Sequence, residues 1–109
     1  MKLTVTGKNI EITDAIKNHL DSKIYKTFQG LSESMDVRVS FNVEKHRHMA
    51  DVTVKTKGFI AHADEETGDL YLTMDSVLEK IEKQLKKHKG REQHQKLKNG
   101  FVAKNNLNG

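Results

Sequence analysis

The 109-residue chain contains no cysteine, and that one absence removes disulfide frameworks, thiolate metal sites and thiol nucleophiles together. Tryptophan is also missing and aromatics are only 6% of the sequence, so branched aliphatics must fill most of any core. No apolar run approaches the roughly 18 residues of a membrane span, and the N-terminus opens directly on a strand-like alternation. A soluble cytoplasmic protein is the expectation. No nucleophile elbow, phosphate-cradling glycine loop or metalloprotease helix occurs. Catalysis is therefore unsupported, and no catalytic residue, metal, cofactor or small-molecule substrate is expected.

What is present fits one domain with one modest core, since 35% of the residues are hydrophobic and a chain this short seals its core between two layers. The formal net charge is +4, and it is unevenly placed. Residues 1–77 carry ten Lys or Arg against twelve Asp or Glu, whereas residues 78–104 carry nine bases against three acids. Such asymmetry points to a polyanionic partner, either nucleic acid or an anionic membrane surface. The competing reading is an ordinary lysine-rich helix in solvent, and charge alone does not separate the two.

Residues 1–7 alternate, with Met1, Leu3 and Val5 on one face and Gly7 ending the strand. Thr13 has the chemistry of a helix N-cap, with Asp14 in the first turn. Ile16, Leu20, Ile24 and Leu31 then form one stripe with Phe28 at its margin, predicting a helix over 14–29 that Gly30 stops. Val37, Val39, Phe41 and Val43 alternate with polar residues, a turn follows at Lys45-His46-Arg47, and Ala50, Val52 and Val54 resume the alternation. Gly58 breaks the pattern before a fourth short strand over 59–63, and residues 64–68 read as an acidic loop. Met74, Val77, Leu78, Ile81 and Leu85 mark a second helix, with Asp69 at its start and Gly90 at its end. The expected fold is α+β, in the order β-α-β-β-β-α, with a four-stranded sheet and both helices on one face. Residues 1–91 would form the domain and 92–109 a polar, flexible tail.

The lysines have an address on these helices. Ser76, Lys80, Lys83, Lys87 and Arg91 line one ridge of helix two, opposite the apolar stripe. Glu79 to Lys83 and Glu82 to Lys86 are favourable i,i+4 pairs, each contributing about 0.3–0.5 kcal/mol. Lys80 and Lys87 have no acidic helical neighbour, which predicts that their charge is free for an outside anion. His19, Lys23 and Lys26 share one flank of helix one, with Lys17 on the other. Merged, these rows would contact phosphates and 2′-hydroxyls of folded RNA with little base readout. Because the ridge belongs to a helix packed on a core, a membrane partner fits less well.

Two other groups carry possible chemistry. His46 and His48, two apart beside Lys45 and Arg47, would point the same way on a strand, but zinc usually takes four ligands and no cysteine accompanies them. His62 with Asp64, Glu65, Glu66 and Asp69 suggests acid–base work or a cation, yet lacks the spacing of an EF-hand loop. A solvated hairpin tip and a solvated acidic loop are the plainer readings.

Residues 1–16, the run Val43-Glu-Lys-His-Arg-His-Met-Ala-Asp-Val-Thr-Val, the run Asp69-Leu-Tyr-Leu-Thr-Met-Asp and the lysine-rich stretch 78–89 resemble the hibernation-promoting factor and ribosome-associated inhibitor A family. The match extends over residues 1–91. The resemblance implies a layout related to double-stranded RNA-binding domains, and docking on the small ribosomal subunit between head and body, over the messenger and transfer RNA sites. It assigns rRNA contacts to Lys23, Lys26, Lys80, Lys83 and Lys87, and less firmly to Lys17 and Lys86; Arg91 joins them through the ridge. The expected partner is the small subunit and its rRNA, with the protein monomeric off the ribosome and of the short form. Thr27 and Phe28 replace the usual Leu-Glu pair, Gln29 stands where a lysine is frequent, and the loop before Asp69 looks slightly long. A generic double-stranded RNA-binding or RNA-chaperone module is the alternative.

Overall fold

The computed structural model describes residues 2–28 and 35–100, with side chains as far as His88. The chain runs β1 (Lys2–Lys8), α1 (Asp14–Thr27), β2 (Asp36–Glu44), β3 (Arg47–Thr56), β4 (Phe59–Thr67) and α2 (Leu70–Gly100). The sheet order is β1-β2-β3-β4. β1 and β2 pair in parallel because the intervening α1 returns the chain to the same end of the sheet, while β2–β3 and β3–β4 are antiparallel hairpins. Two-residue turns make these hairpins compact, with Lys45 at φ 57° in the first and Gly58 at φ 82° in the second.

Alternation decides which face is buried. Val37, Val39 and Phe41 of β2, Ala50, Val52 and Val54 of β3, and Ala61 and Ala63 of β4 point to the helices. They meet Ile16, Leu20, Ile24 and Phe28 of the first helix segment and Met74, Val77, Leu78, Ile81 and Leu85 of α2. The alanines of β3 and β4 lie where α2 crosses, and their small volume lets that helix approach the sheet. Phe28, expected at the stripe's margin, is instead buried as the C-cap, its N–H donating to the Ile24 carbonyl at 2.9 Å. Both helix starts follow from their side chains. The Ile16 N–H donates to Thr13 Oγ1 at 3.2 Å, and the Leu72 N–H to Asp69 Oδ2 at 2.8 Å. Gln29, Gly30 and Leu31 lie outside the described residues.

Two boundaries and the placement of one histidine pair differ from the sequence expectation. β4 continues to Thr67, so the acidic segment 64–66 is strand and not loop; pairing to β3 overrides the low strand propensity of acids. α2 continues through Gly90 to Gly100, so residues 92–100 of the expected tail are helical, and residues 101–109 lie outside the described residues. A mid-helix glycine costs only about 1 kcal/mol, and the residues after it are good helix formers with no proline among them. His46 sits in the β2–β3 turn, whereas His48 is on β3 and half buried, so the two histidines do not share a strand face.

Candidate nucleic-acid interface

On the open sheet face acids and bases are interspersed, with Arg47 paired to Glu66 and Glu44 and Arg38 to Asp36. A shallow groove of about 670 Å³ on that face is lined partly by Lys8, Asp51, Asp64 and Glu66, the last of these held by Arg47 at 2.9 Å. Among the described residues one group, Asp51, His62 and Asp64, brings three metal-ligating atoms within 4.8 Å of one another. All three are exposed, and His62 Nε2 already lies 2.9 Å from Asp51 Oδ1.

The helix face carries the lysines, and the structure sorts them into tied and free. Lys26, Lys83 and Lys87 are exposed and make no ion pair among the described residues. Lys17 is likewise exposed and unpaired but projects from the far flank of α1, away from α2. Lys86 pairs with Glu82 at 3.0 Å, the expected i,i+4 contact, while the Glu79–Lys83 pair does not form. Lys23 stands 3.8 Å from Asp75 Oδ1, reaching across the seam from α1 to α2. Arg91 is on α2, and its side chain lies outside the described residues.

Lys80 corrects an expectation. Its ammonium donates to the Asp64 carbonyl at 3.1 Å and lies 3.4 Å from Glu65 Oε2, so it is held against β4 and not free. The cause is the longer strand: because β4 runs to Thr67, its acids lie alongside α2. Ser76 of the same ridge joins them, with its hydroxyl donating to Glu65 Oε2 at 2.5 Å. Gln84 completes the seal. Its side-chain amide donates to the His62 carbonyl at 2.7 Å and accepts from the His62 N–H at 3.2 Å, imitating a neighbouring strand at an otherwise open edge.

These contacts hold the Glu65 carboxyl below its ordinary value of 4.5, first through Ser76, then through the Glu66 backbone N–H and Lys80. A depressed carboxylate stabilises the fold above its unfolded value and loses that contribution as pH falls through the folded value. Glu65→Gln is therefore expected to flatten the fall in melting temperature below pH 4.5. Thermal melts of both proteins at stepped acidic pH check this, and parallel curves would remove the Ser76–Glu65–Lys80 latch from the account.

Sequence reasoning missed Asp75 and Gln84 as organisers of this surface. In the sequence Asp75 is one acid among several on the second helix, with nothing to mark its partners. Its partners, His19 at 2.8 Å and Lys23 at 3.8 Å, come from another helix. Only the register between the helices reveals them. The Gln84 contact likewise depends on where α2 crosses the edge of β4.

With this geometry in view, comparisons with known proteins place the chain. A family model described as sigma 54 modulation protein / S30EA ribosomal protein matches residues 3–93. The ribosome hibernation promoting factor of Escherichia coli K12 is 37% identical over 89 residues, covering 82% of this chain and 94% of that protein. The ribosome hibernation promotion factor of Lactococcus lactis is 31% identical over 94 residues, 84% of this chain but 51% of its own length. Among solved structures, the N-terminal domain of Thermus thermophilus Protein Y superposes with a TM-score of 0.75 at 26% identity, covering 81% of this chain and 99% of that one. A ribosomal subunit interface protein from Coxiella burnetii gives 0.76 at 27%, covering 83% and 99%. The model match over most of the chain and the sustained identity to these relatives make it a member of the sigma 54 modulation protein / S30EA ribosomal protein family.

Proposed function

We propose that the domain is a noncatalytic translation silencer that works in the cytoplasm by binding the small ribosomal subunit. It docks its helix face on rRNA at the decoding region and sterically excludes messenger and transfer RNA. The observation that carries this reading is the set of uncommitted cations on the helices. Lys26, Lys83 and Lys87 are exposed on the helices with no ion pair among the described residues, whereas Arg38 and Arg47 of the opposite sheet face are paired with acids. Lysine ammonium groups supply affinity to phosphates, while a rigid two-helix platform supplies fit to folded RNA. The printed names of the relatives, ribosome hibernation promoting factor and ribosomal subunit interface protein, support a ribosomal partner. The decoding-region location rests on the family resemblance in the sequence.

Co-sedimentation with purified small subunits, large subunits and an RNA duplex across a salt series tests the reading. Saturable, salt-sensitive binding that favours small subunits is expected, together with displacement of messenger RNA. Equal binding to duplex RNA would replace it with a generic RNA-binding module.

A further inference from the structure

Two nitrogen-bearing side chains converge on one carboxylate oxygen at the seam between the helices. His19 Nε2 lies 2.8 Å from Asp75 Oδ1, and Lys23 Nζ lies 3.8 Å from the same atom. The imidazole stands edge-on to the Tyr71 ring, with centroids 4.9 Å apart and planes at 83°. All three polar side chains remain within reach of a bound polyanion, being 30% exposed at His19, 39% at Asp75 and 43% at Lys23. From α2, Tyr71 and Asp75 face the imidazole; on α1 the charged neighbour sharing its acceptor is Lys23.

We propose that Asp75 restrains this part of the basic surface and that a proton on His19 lifts the restraint, so that RNA binding tightens as pH falls. The inference rests on the RNA-binding reading above. When the imidazole is neutral, its Nε2–H donates to Asp75, and the carboxylate offsets the charge of Lys23. The seam then carries no net charge. A proton on the other ring nitrogen converts the contact to a charge-assisted bond, and the seam becomes net positive. The new cation also repels Lys23 from the shared oxygen, turning its ammonium toward solvent and the phosphates there. Both changes have the same sign, because a bound polyanion favours the protonated ring and the protonated ring favours the polyanion. One additional cation facing phosphate steepens the log–log salt dependence by roughly 0.9.

The test measures affinity for small ribosomal subunits, and separately for a short RNA duplex, at about pH 8 and about pH 6. Three proteins are compared: wild type, His19→Phe and Asp75→Asn, each checked for folding by circular dichroism. Wild type is expected to gain roughly three- to tenfold on acidification. His19→Phe keeps the ring against Tyr71 but cannot add the charge, so it loses most of that gain. Asp75→Asn already binds at pH 8 about as tightly as wild type does at pH 6, because without the carboxylate the seam is net positive before any proton is added. The other five of the six histidines are common to all three proteins and cancel in the comparison. Retention of the full wild-type gain by His19→Phe, or no tightening in Asp75→Asn at pH 8, would overturn the proposal. The duplex arm separates the two readings. Loss of preference for small subunits removes the ribosomal assignment yet leaves the proton linkage to be read on duplex RNA. Wild type that binds neither ligand removes both.

Discussion

Alanine at Lys83, Lys86 and Lys87 together is expected to weaken small-subunit binding by on the order of a hundredfold, while Lys80→Ala alone costs little affinity. The difference follows from where each ammonium is already committed. Lys83 and Lys87 have no acidic partner among the described residues, and Lys86 holds only an exposed i,i+4 contact to Glu82. Exposed charge contacts contribute up to about 1 kcal/mol each, so three lost contacts approach 3 kcal/mol, or about two decades of affinity. The salt dependence should also flatten, by roughly 0.9 in the log–log slope for each phosphate no longer neutralised. Lys80 is different because its charge is already shared with the Asp64 carbonyl and Glu65. Its removal frees the edge of β4 and is expected to appear in thermal stability. Equilibrium binding at several salt concentrations, with melts of the same variants, separates these outcomes. Equal losses of affinity at Lys80 and at the Lys83–Lys86–Lys87 group would mean that the intramolecular contacts of Lys80 do not restrain it.

The element order was legible because each element carries its own period. β2 and β3 alternate strictly, α2 repeats its apolar residues at three and four, and Thr13 and Asp69 announce the helices through their capping chemistry. What stayed hidden was set by partners distant in sequence. Residues 64–66 read as a loop because three consecutive acids disfavour a strand, yet β3 supplies a pairing edge and fixes Asp51 opposite Asp64. The fate of Lys80 changed with that strand. Gly90 looked like a stop, but a glycine ends a helix only where the chain turns into the left-handed region. On the lysine surface the rows were assigned correctly to their helices. The Glu82–Lys86 pair and the lack of an ion pair at Lys87 among the described residues were also legible. The partners of Lys23 and Lys80 were not, because they depend on how α1 and α2 are registered against each other and against β4.

The contacts that restrain these lysines also hold the platform together. Ser76, Lys80 and Gln84 fasten α2 to the edge of β4, and Asp75 fastens α2 to α1. Thr73, fully buried, adds a polar anchor at the start of α2, its hydroxyl 2.6 Å from Thr67 Oγ1, 2.8 Å from the Asp69 carbonyl and 3.1 Å from the His48 carbonyl. A surface that reads folded RNA by shape needs its cations at fixed separations, and a helix sliding by one turn would move each by about 5.4 Å. On the proposed function, polar contacts at the rim would serve recognition even where their charge is withdrawn from the ligand.

Leu20→Ala is expected to destabilise the domain by about 2–5 kcal/mol, a large share of the roughly 5–15 kcal/mol available to a fold of this kind. Leu20 is fully buried, midway between Ile16 and Ile24 on the stripe by which α1 meets the core. Its truncation removes apolar contact and leaves a cavity that neighbours on a four-stranded sheet fill only partly. The consequence for binding should differ in kind from that of the lysine variants. Leu20→Ala lowers the folded fraction and leaves every lysine in place. The molecules that remain folded should keep the wild-type salt slope, so apparent affinity falls only as far as the unfolded population requires. Urea titration gives the stability loss, and binding across a salt series gives the slope. A shallow slope in a variant with all its lysines would show that α1 has moved within the folded state, and that Leu20 sets the spacing of Lys23 and Lys26 against α2 as well as the strength of the core.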